Sequence, residues 1–245
     1  MAESKLHHGW RIAQRSAQMA SAGLIAVAVF CGEWLRRRGD APALHAVGRA
    51  WVTLSTRLGA TFIKIGQIAS TRGDLLPRPI IQELSTLQDQ VPAFAYPEVR
   101  QIIESEFCTR LEDLFSKFDE TPVAAASVAQ VHRAVWRATG EVVAVKVRRP
   151  DILEKVQLDR SILLFVARLL ENVVPSLRLI SLEVSIRNFC EAVEQQIHLT
   201  NEAEHNRRFT ANFADDPDVH FPRLVPEGCS DAVLTMEFIE GVREP

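Results

Sequence analysis

Hydrophobic residues recur along this chain with two different spacings, and the places where the spacing changes divide it. Between Arg49 and Thr71 the apolar positions Trp51, Leu54, Leu58, Phe62, Ile65 and Ala69 step by three or four residues, which predicts a single helix with one apolar face. Gly73, Pro77 and Pro79 then break the chain. A second helix is predicted over residues 80–89, and a third from Pro97 that turns Val99, Ile102, Ile103 and Phe107 inward. The first 120 residues therefore read as helical. Around Thr121 the period falls to two: residues 123–136 and 141–147 are rich in β-branched and small side chains, and Ala138-Thr139-Gly140 between them is a natural hairpin turn. Helical spacing returns over 158–173 (Leu158, Ile162, Phe165, Leu169, Val173) and as one helix over 182–209, before Pro217, Pro222 and Pro226 interrupt it. Residues 232–239 close the pattern as a short apolar strand that ends at Gly241.

One segment stands apart from both periods. Residues 16–32 are 17 uncharged positions between Arg15 and Glu33, close to the length that crosses a bilayer core. Arg11 and Arg15 precede it and Arg36, Arg37 and Arg38 follow, so the flanking charge gives no orientation. Rich in Ala, Ser and Gly, and without a small-residue cleavage site, it reads as a buried or interfacial helix rather than a spanning one or a cleaved signal. Composition narrows the function classes. With 28 Lys+Arg against 31 Asp+Glu the net charge is -3, so no basic excess marks a nucleic-acid partner. At 47% hydrophobic and 24% charged the chain is neither disordered nor wholly membrane-embedded. Cys31, Cys108, Cys190 and Cys229 lie far apart, which argues against a zinc site or a disulfide framework and for a reducing, cytosol-facing location.

The residue that carries most chemical information is Lys146, alone in the apolar run Val143-Ala144-Val145-Lys146-Val147. Strand alternation turns Val143, Val145 and Val147 to one face and Ala144 and Lys146 to the other. An ammonium on an inner face has to be paired or to meet a ligand, whereas on an edge strand the same lysine is only a solvated gatekeeper. Upstream, residues 122–134 form a strand, an alanine-rich turn and a second strand, the order in which a kinase N-lobe places its phosphate-covering loop before its lysine strand. The Asp215-Asp216-Pro217-Asp218 run reads as a solvated turn rather than a metal site, and His132 and His220 read as structural.

Six separated motifs occur in one order: Lys64-Ile65-Gly66-Gln67 (KxGQ), Ala124-Ala125-Ala126-Ser127 (AAAS), QVHRA at 130–134, VAVKV at 143–147, NEAEHN at 201–206 and MEFIEG at 236–241. In these motifs the chain resembles the UbiB/AarF family of atypical protein-kinase-like proteins, over roughly residues 55–245. The resemblance implies an α+β fold: a kinase-like N-lobe of antiparallel sheet plus helix C, preceded by a helical extension. It implies that Lys146 contacts nucleotide phosphates and that Glu202 pairs with it, a preorganised phosphate grip. Ala124, Ala125, Ala126 and Ser127 would lie over the phosphates, and alanine's poor access to positive φ keeps such a loop from wrapping a triphosphate closely. Ser127 is either a phosphate donor or a turn cap. Glu237 and Phe238 would offer main-chain contacts to an adenine edge. Lys64, Gly66 and Gln67 carry the signature of an extension that folds across the cleft, with Gly66 permitting close approach. The family's acidic pair for that lysine falls here on Gln196 and His198, neither acidic, and a shift to Glu194 turns about 200° around a helix.

The implied organisation is an N-terminal helical segment at 1–48 that can meet a membrane, the KxGQ extension at 49–120, and the N-lobe up to its hinge at 121–245. No HxD or DFG pattern occurs in the sequence, so the C-lobe that supplies catalytic Asp and Asn and holds Mg²⁺ is expected to be absent. Two readings stay open. One is the nucleotide-gripping part of an ATP-dependent kinase-like enzyme or ATPase serving isoprenoid quinone (ubiquinone) biosynthesis at the cytoplasmic side of a membrane, among quinone-biosynthesis proteins. The other is a truncated non-catalytic nucleotide-binding or protein-interaction module.

Overall fold

The computed structural model describes residues 2–36, 42–71, 73, 76–88, 92–173 and 181–241, with side chains from Gly9 onward. The chain forms two compact units, residues 1–91 with 153–194 and residues 92–152 with 195–245. In chain order the helices are α1 (Ala2–Arg36), α2 (Pro42–Leu58), α3 (Ala60–Ser70), α4 (Arg78–Ser85), α5 (Tyr96–Phe107), α6 (Leu111–Leu114), α7 (Ile152–Val173), α8 (Leu182–Ile197) and α9 (Leu199–Asn212). The strands are β1 (Phe115–Phe118), β2 (Ala124–Ala125), β3 (Ala129–Trp136), β4 (Val142–Arg148) and β5 (Val233–Glu237).

In the first unit the helix expected over 49–71 is two helices, because Gly59 takes φ 92° and ψ −155°, a conformation that side chains disfavour. The expected apolar stripe is mostly half-buried; of its members only Leu58 is fully buried. The buried positions of α2 and α3 are instead mainly small or polar: Ala46, Gly48, Ser55, Leu58, Thr61, Ile63, Gly66 and Ser70. Small residues let backbones approach. A Cβ on Gly48 would lie 2.7 Å from Glu83 Cβ and 3.3 Å from Ile80 Cα. The second expected helix ends at Ser85 and runs into a 3₁₀ turn, Thr86–Gln88. On α1 the same rule holds, since Ala22 and Ala26 are buried while Leu24 is exposed, whereas α7 buries Ile152, Val156, Leu158 and Ala167 and leaves Phe165, Leu169 and Val173 exposed. The 16–32 segment is thus one side packed and one side open, inside a longer helix.

One buried ion pair gathers the helices of this unit. Arg15 of α1 is 7% exposed and Asp159 of α7 is 1% exposed. Arg15 Nε donates to Asp159 Oδ1 at 2.6 Å, and its Nη2 donates to Asp159 Oδ2 at 3.0 Å and to the Leu58 carbonyl at 2.6 Å. Thr61 Oγ1 donates to Asp159 Oδ2 at 2.7 Å. The pair therefore ties α1, the end of α2, α3 and α7 at one point.

In the second unit all strand pairs are antiparallel, in the order β1-β3-β4-β5, with β2 also paired to β3. β1 lies inside the stretch expected to be helical. Leu111–Leu114 is one turn only, and Phe115 then buries itself edge-on against Trp136 at 5.3 Å, a packing gain that outweighs helical spacing. Gly140 at φ 74° closes the expected hairpin, with its N–H donating to Trp136 O at 2.9 Å. Val143, Val145 and Val147 pack against Val99 and Ile103 of α5 on one face of the sheet, while Leu234 packs with Leu199 and Ala203 of α9.

The QVHRA strand carries a closed polar network into this core. His132 Nδ1 lies 2.8 Å from the Asp119 carbonyl, which can only accept, so Nδ1 carries the proton. His132 Nε2 then accepts from Gln130 Nε2 at 2.9 Å, and Gln130 Oε1 accepts from Phe94 N at 2.9 Å. The imidazole is neutral, and burial pushes its pKa below the ordinary value of 6.5 against the opposing pull of Asp119.

Two measurements check these readings. Asp159→Asn leaves Arg15 buried without its counter-charge and is expected to cost about 3 kcal/mol in urea unfolding. A loss well under ~1 kcal/mol would show the pair to be dispensable. Because the folded pKa of His132 is depressed, its contribution is present above the unfolded value near 6.5 and is lost as pH falls through the folded one. The slope is at most about 1.4 kcal/mol per pH unit. The urea midpoint should drop between pH 7 and pH 5 more in the native chain than in His132→Gln, and equal drops would contradict this.

Candidate phosphate-binding site

The site starts from the strand lysine. Lys146 stands opposite Val131 of β3, which in turn stands opposite Ala124 of β2, so the three form a row across three strands on one face. On that face Lys146 Nζ lies 2.7 Å from Glu202 Oε1 and 2.5 Å from Oε2. The lysine side chain is 24% exposed and the glutamate 43%, so the pair, although on a strand paired on both sides, is reachable by a ligand. Glu202 comes from the first turn of α9, and α9 exists separately because the helix expected over 182–209 breaks at His198 (φ −82°, ψ 105°). The break lets the Leu199 N–H donate to the Asp231 carbonyl at 3.1 Å. Fifty-six residues apart in sequence, the two charges meet through the tertiary fold alone.

The AAAS segment is a tight hairpin rather than a long loop. Ala124 and Ala125 are paired strand residues, and the turn closes when Ala126 N–H donates to Ala129 O at 2.8 Å. Ser127 is buried in the turn. No residue of the turn is among the described non-glycine residues of positive φ, which are Cys108, Asp151 and Ser181. Arg149 fastens the turn: its Nε donates to Ala126 O at 2.9 Å, its Nη2 to Pro92 O at 2.6 Å, and its backbone N–H to Val128 O at 2.9 Å. Its guanidinium also lies over the Phe94 ring at 5.5 Å.

At the end of β5 the Glu237 N–H donates to Arg223 O at 2.8 Å and the Phe238 N–H to Val142 O at 3.3 Å. Both N–H groups are therefore used within the unit. The Phe238 ring lies under Arg133 at 5.4 Å, and the Glu237 carboxylate lies 3.2 Å from His220 Nε2. Arg133 and Asp231 are the residues that sequence reasoning missed. Alternation places Arg133, two residues from Val131, on the face of Lys146, so that signal was available; Asp231 had none.

The KxGQ residues lie in the first unit. Lys64 is half-buried on α3. Gln67 Nε2 donates to Leu87 O at 3.2 Å, and Gly66 is buried where a Cβ would collide with the Leu87 side chain. Gly66 thus gives room to a side chain of its own unit. Gln196 is exposed, His198 turns to Asp231 at 2.8 Å, and Glu194 is taken by Arg160 at 3.2 Å. The 215–218 run is exposed, with Asp216 Oδ1 accepting from Asp218 N at 3.0 Å, and no cluster of three metal-ligating side chains occurs among the described residues.

Comparison with known proteins gives this arrangement a context. Residues 86–244 match the family described as the ABC1 atypical kinase-like domain. The chain is 42% identical over 188 residues to the chloroplastic protein ACTIVITY OF BC1 COMPLEX KINASE 3 of Arabidopsis thaliana, covering 77% of this chain and 26% of that protein. It is 40% identical over 186 residues to the probable protein kinase UbiB of Aeromonas hydrophila, covering 76% of this chain and 34% of the relative. Among solved structures, the complex of Rv3197 with erythromycin from Mycobacterium tuberculosis aligns at 27% identity and a TM-score of 0.49, over 76% of this chain and 46% of the other. The chain spans about a quarter to a third of the length of those two curated relatives.

Proposed function

The chain belongs to the ABC1 atypical kinase-like family, and from that premise we propose that it binds ATP, with Lys146 on the phosphates, Glu202 holding the lysine, and the Ala126–Ser127 turn alongside. The observation that carries this reading is the Lys146–Glu202 pair, two oxygens within 2.7 Å of one ammonium on a partly exposed face of the sheet. A phosphate oxygen is chemically a rival to the carboxylate for that ammonium, and a partly exposed pair lets it compete. The short alanine turn supports a grip without a close wrap, since it lacks the positive-φ residues that let a glycine-rich loop fold over phosphates. Bound nucleotide would bring the transferable phosphoryl group; the residues of this chain bind and orient, and no chemical step is assigned to them. The wider role follows the family resemblance: service to isoprenoid quinone biosynthesis, among its proteins.

MgATP titration by calorimetry tests the site. Lys146→Ala is expected to weaken binding at least about tenfold, the weight of a charge-assisted contact of ~1.5 kcal/mol or more. Binding that is unmeasurable in the native chain, or equal in the variant, would remove the nucleotide reading.

A membrane surface is the second part of the proposal, and α1 supports it. Residues 9–36 are long and apolar enough to cross a bilayer, and only 11% of the most apolar window is buried. Trp10 and Trp34 are exposed near the two ends of that segment, and Leu24, Val27 and Leu35 are exposed within it. Aromatic residues at both ends of an apolar helix suit the headgroup level. In flotation with anionic phospholipid vesicles the chain should rise with the lipid, and Leu24→Glu with Val27→Glu should leave it in the soluble fraction. A native chain that stays soluble overturns the membrane reading.

A further inference from the structure

Asp231 lies two residues before β5, and both of its carboxylate oxygens and its carbonyl are engaged. Oδ2 accepts from Arg148 Nη1 at 2.5 Å, and Oδ1 accepts from His198 Nδ1 at 2.8 Å and Thr200 Oγ1 at 3.2 Å. Its carbonyl accepts from Leu199 N at 3.1 Å and from Arg148 Nη1 at 3.0 Å. His198 is the N-cap of α9 but makes no side-chain cap of its own. The negative charge that a helix N-terminus favours is therefore brought by Asp231 from outside the helix.

The spacing of these contacts matches that of the lysine pair. Lys146 and Arg148 are two residues apart on β4, which puts them on one face about 6.6 Å apart along the strand. His198 and Glu202 are four residues apart at the start of α9, about 6 Å along its axis. The strand thus presents two cations and the helix end two partners at nearly equal intervals, with Lys146 meeting Glu202 directly and Arg148 meeting His198 through Asp231. A slip of α9 by one residue turns it by about 100° and breaks both rungs. Burial pushes the Asp231 carboxyl up, but the hydrogen bonds from Arg148 and His198 together outweigh it and hold the group below its ordinary range, so it remains the charged partner.

We propose that Asp231 is a positioning residue that fixes the seat of α9, through His198 and Arg148, and so sets whether Glu202 reaches Lys146. Its value for nucleotide binding rests on the reading given above, but its action on Lys146 does not. Where the family resemblance leads one to expect an acid at position 198, this chain has a histidine, and that histidine faces the carboxylate of Asp231.

The test reads Lys146 itself, in the full chain and without nucleotide. Acetylation of Lys146 by N-acetoxysuccinimide is followed by mass spectrometry in the native chain, Asp231→Asn, Glu202→Gln and the double variant, with exposed Lys117 and Lys155 as internal references. Each single variant should raise the Lys146 rate by about fivefold, in line with loss of one part-exposed ion pair. The double variant should be no faster than Glu202→Gln, because both act through one contact. A native rate in Asp231→Asn, or a double variant that exceeds Glu202→Gln by the same factor again, overturns the proposal. Should Asp231→Asn fail to fold, His198→Ala removes one partner from the exposed side and should still raise the rate about twofold; no rise overturns it. Loss of MgATP binding would end the nucleotide reading, while the acetylation rates decide the role of Asp231 separately.

Discussion

A lysine set among valines in the middle of a sheet has to be met by a carboxylate, and the second unit is arranged around that requirement. An ammonium at this depth is tolerated only when paired. The pairing partner, Glu202, comes from a helix whose start is displaced from the preceding one by the break at His198. The sheet face that holds Lys146 is covered by α9, and the opposite face by α5 with the valines of β4. Pairing and packing therefore reinforce each other: Leu199 and Ala203 anchor the same helix turn that carries Glu202. Asp231 adds an electrostatic stop at the end of that helix.

The first unit handles charge differently. Arg15 and Asp159 are more deeply buried than the lysine pair, and Gln18, Thr61 and the Leu58 carbonyl take up further donors and acceptors of the two. Such a saturated network offers nothing to a ligand, which suits a structural joint, while the part-exposed Lys146–Glu202 pair keeps an accessible side. The contrast is one of solvent exposure rather than of residue type. It separates a charge pair that holds helices together from one that can exchange its carboxylate for a phosphate.

Membership of the ABC1 atypical kinase-like family gives the alanine turn and the KxGQ glycine distinct physical meanings. The turn is fastened from below by Arg149, which makes it a fixed shelf rather than a flap. Gly66 admits the Leu87 side chain, and Gln67 bonds the Leu87 carbonyl, so two of the signature residues of that helix serve the packing of their own unit. The departure at His198 from the family's acidic pattern is matched by a local partner in Asp231.

Much of the local structure is legible in the residues themselves. Alternation marks the buried valines and the inward lysine of β4, Gly140 marks the hairpin, and the order of motifs leads to the family. Three features depart from the local pattern, each where a backbone or tertiary constraint overrides apolar spacing. Gly59 splits an apparently continuous helix, β1 forms inside a helical pattern because Phe115 finds Trp136, and the long helix after residue 182 breaks at His198. The buried side of α2 and α3 is invisible to hydropathy because close helix contact selects small residues, which carry little of that signal. Local chemistry in the sequence determined which side chains needed partners, Lys146 and Glu202 first among them. Only the tertiary structure decided which partners they received, bringing Asp231 to His198 and Arg148 and Asp159 to Arg15, because a charge distant in sequence is chosen by where the packed backbone places it.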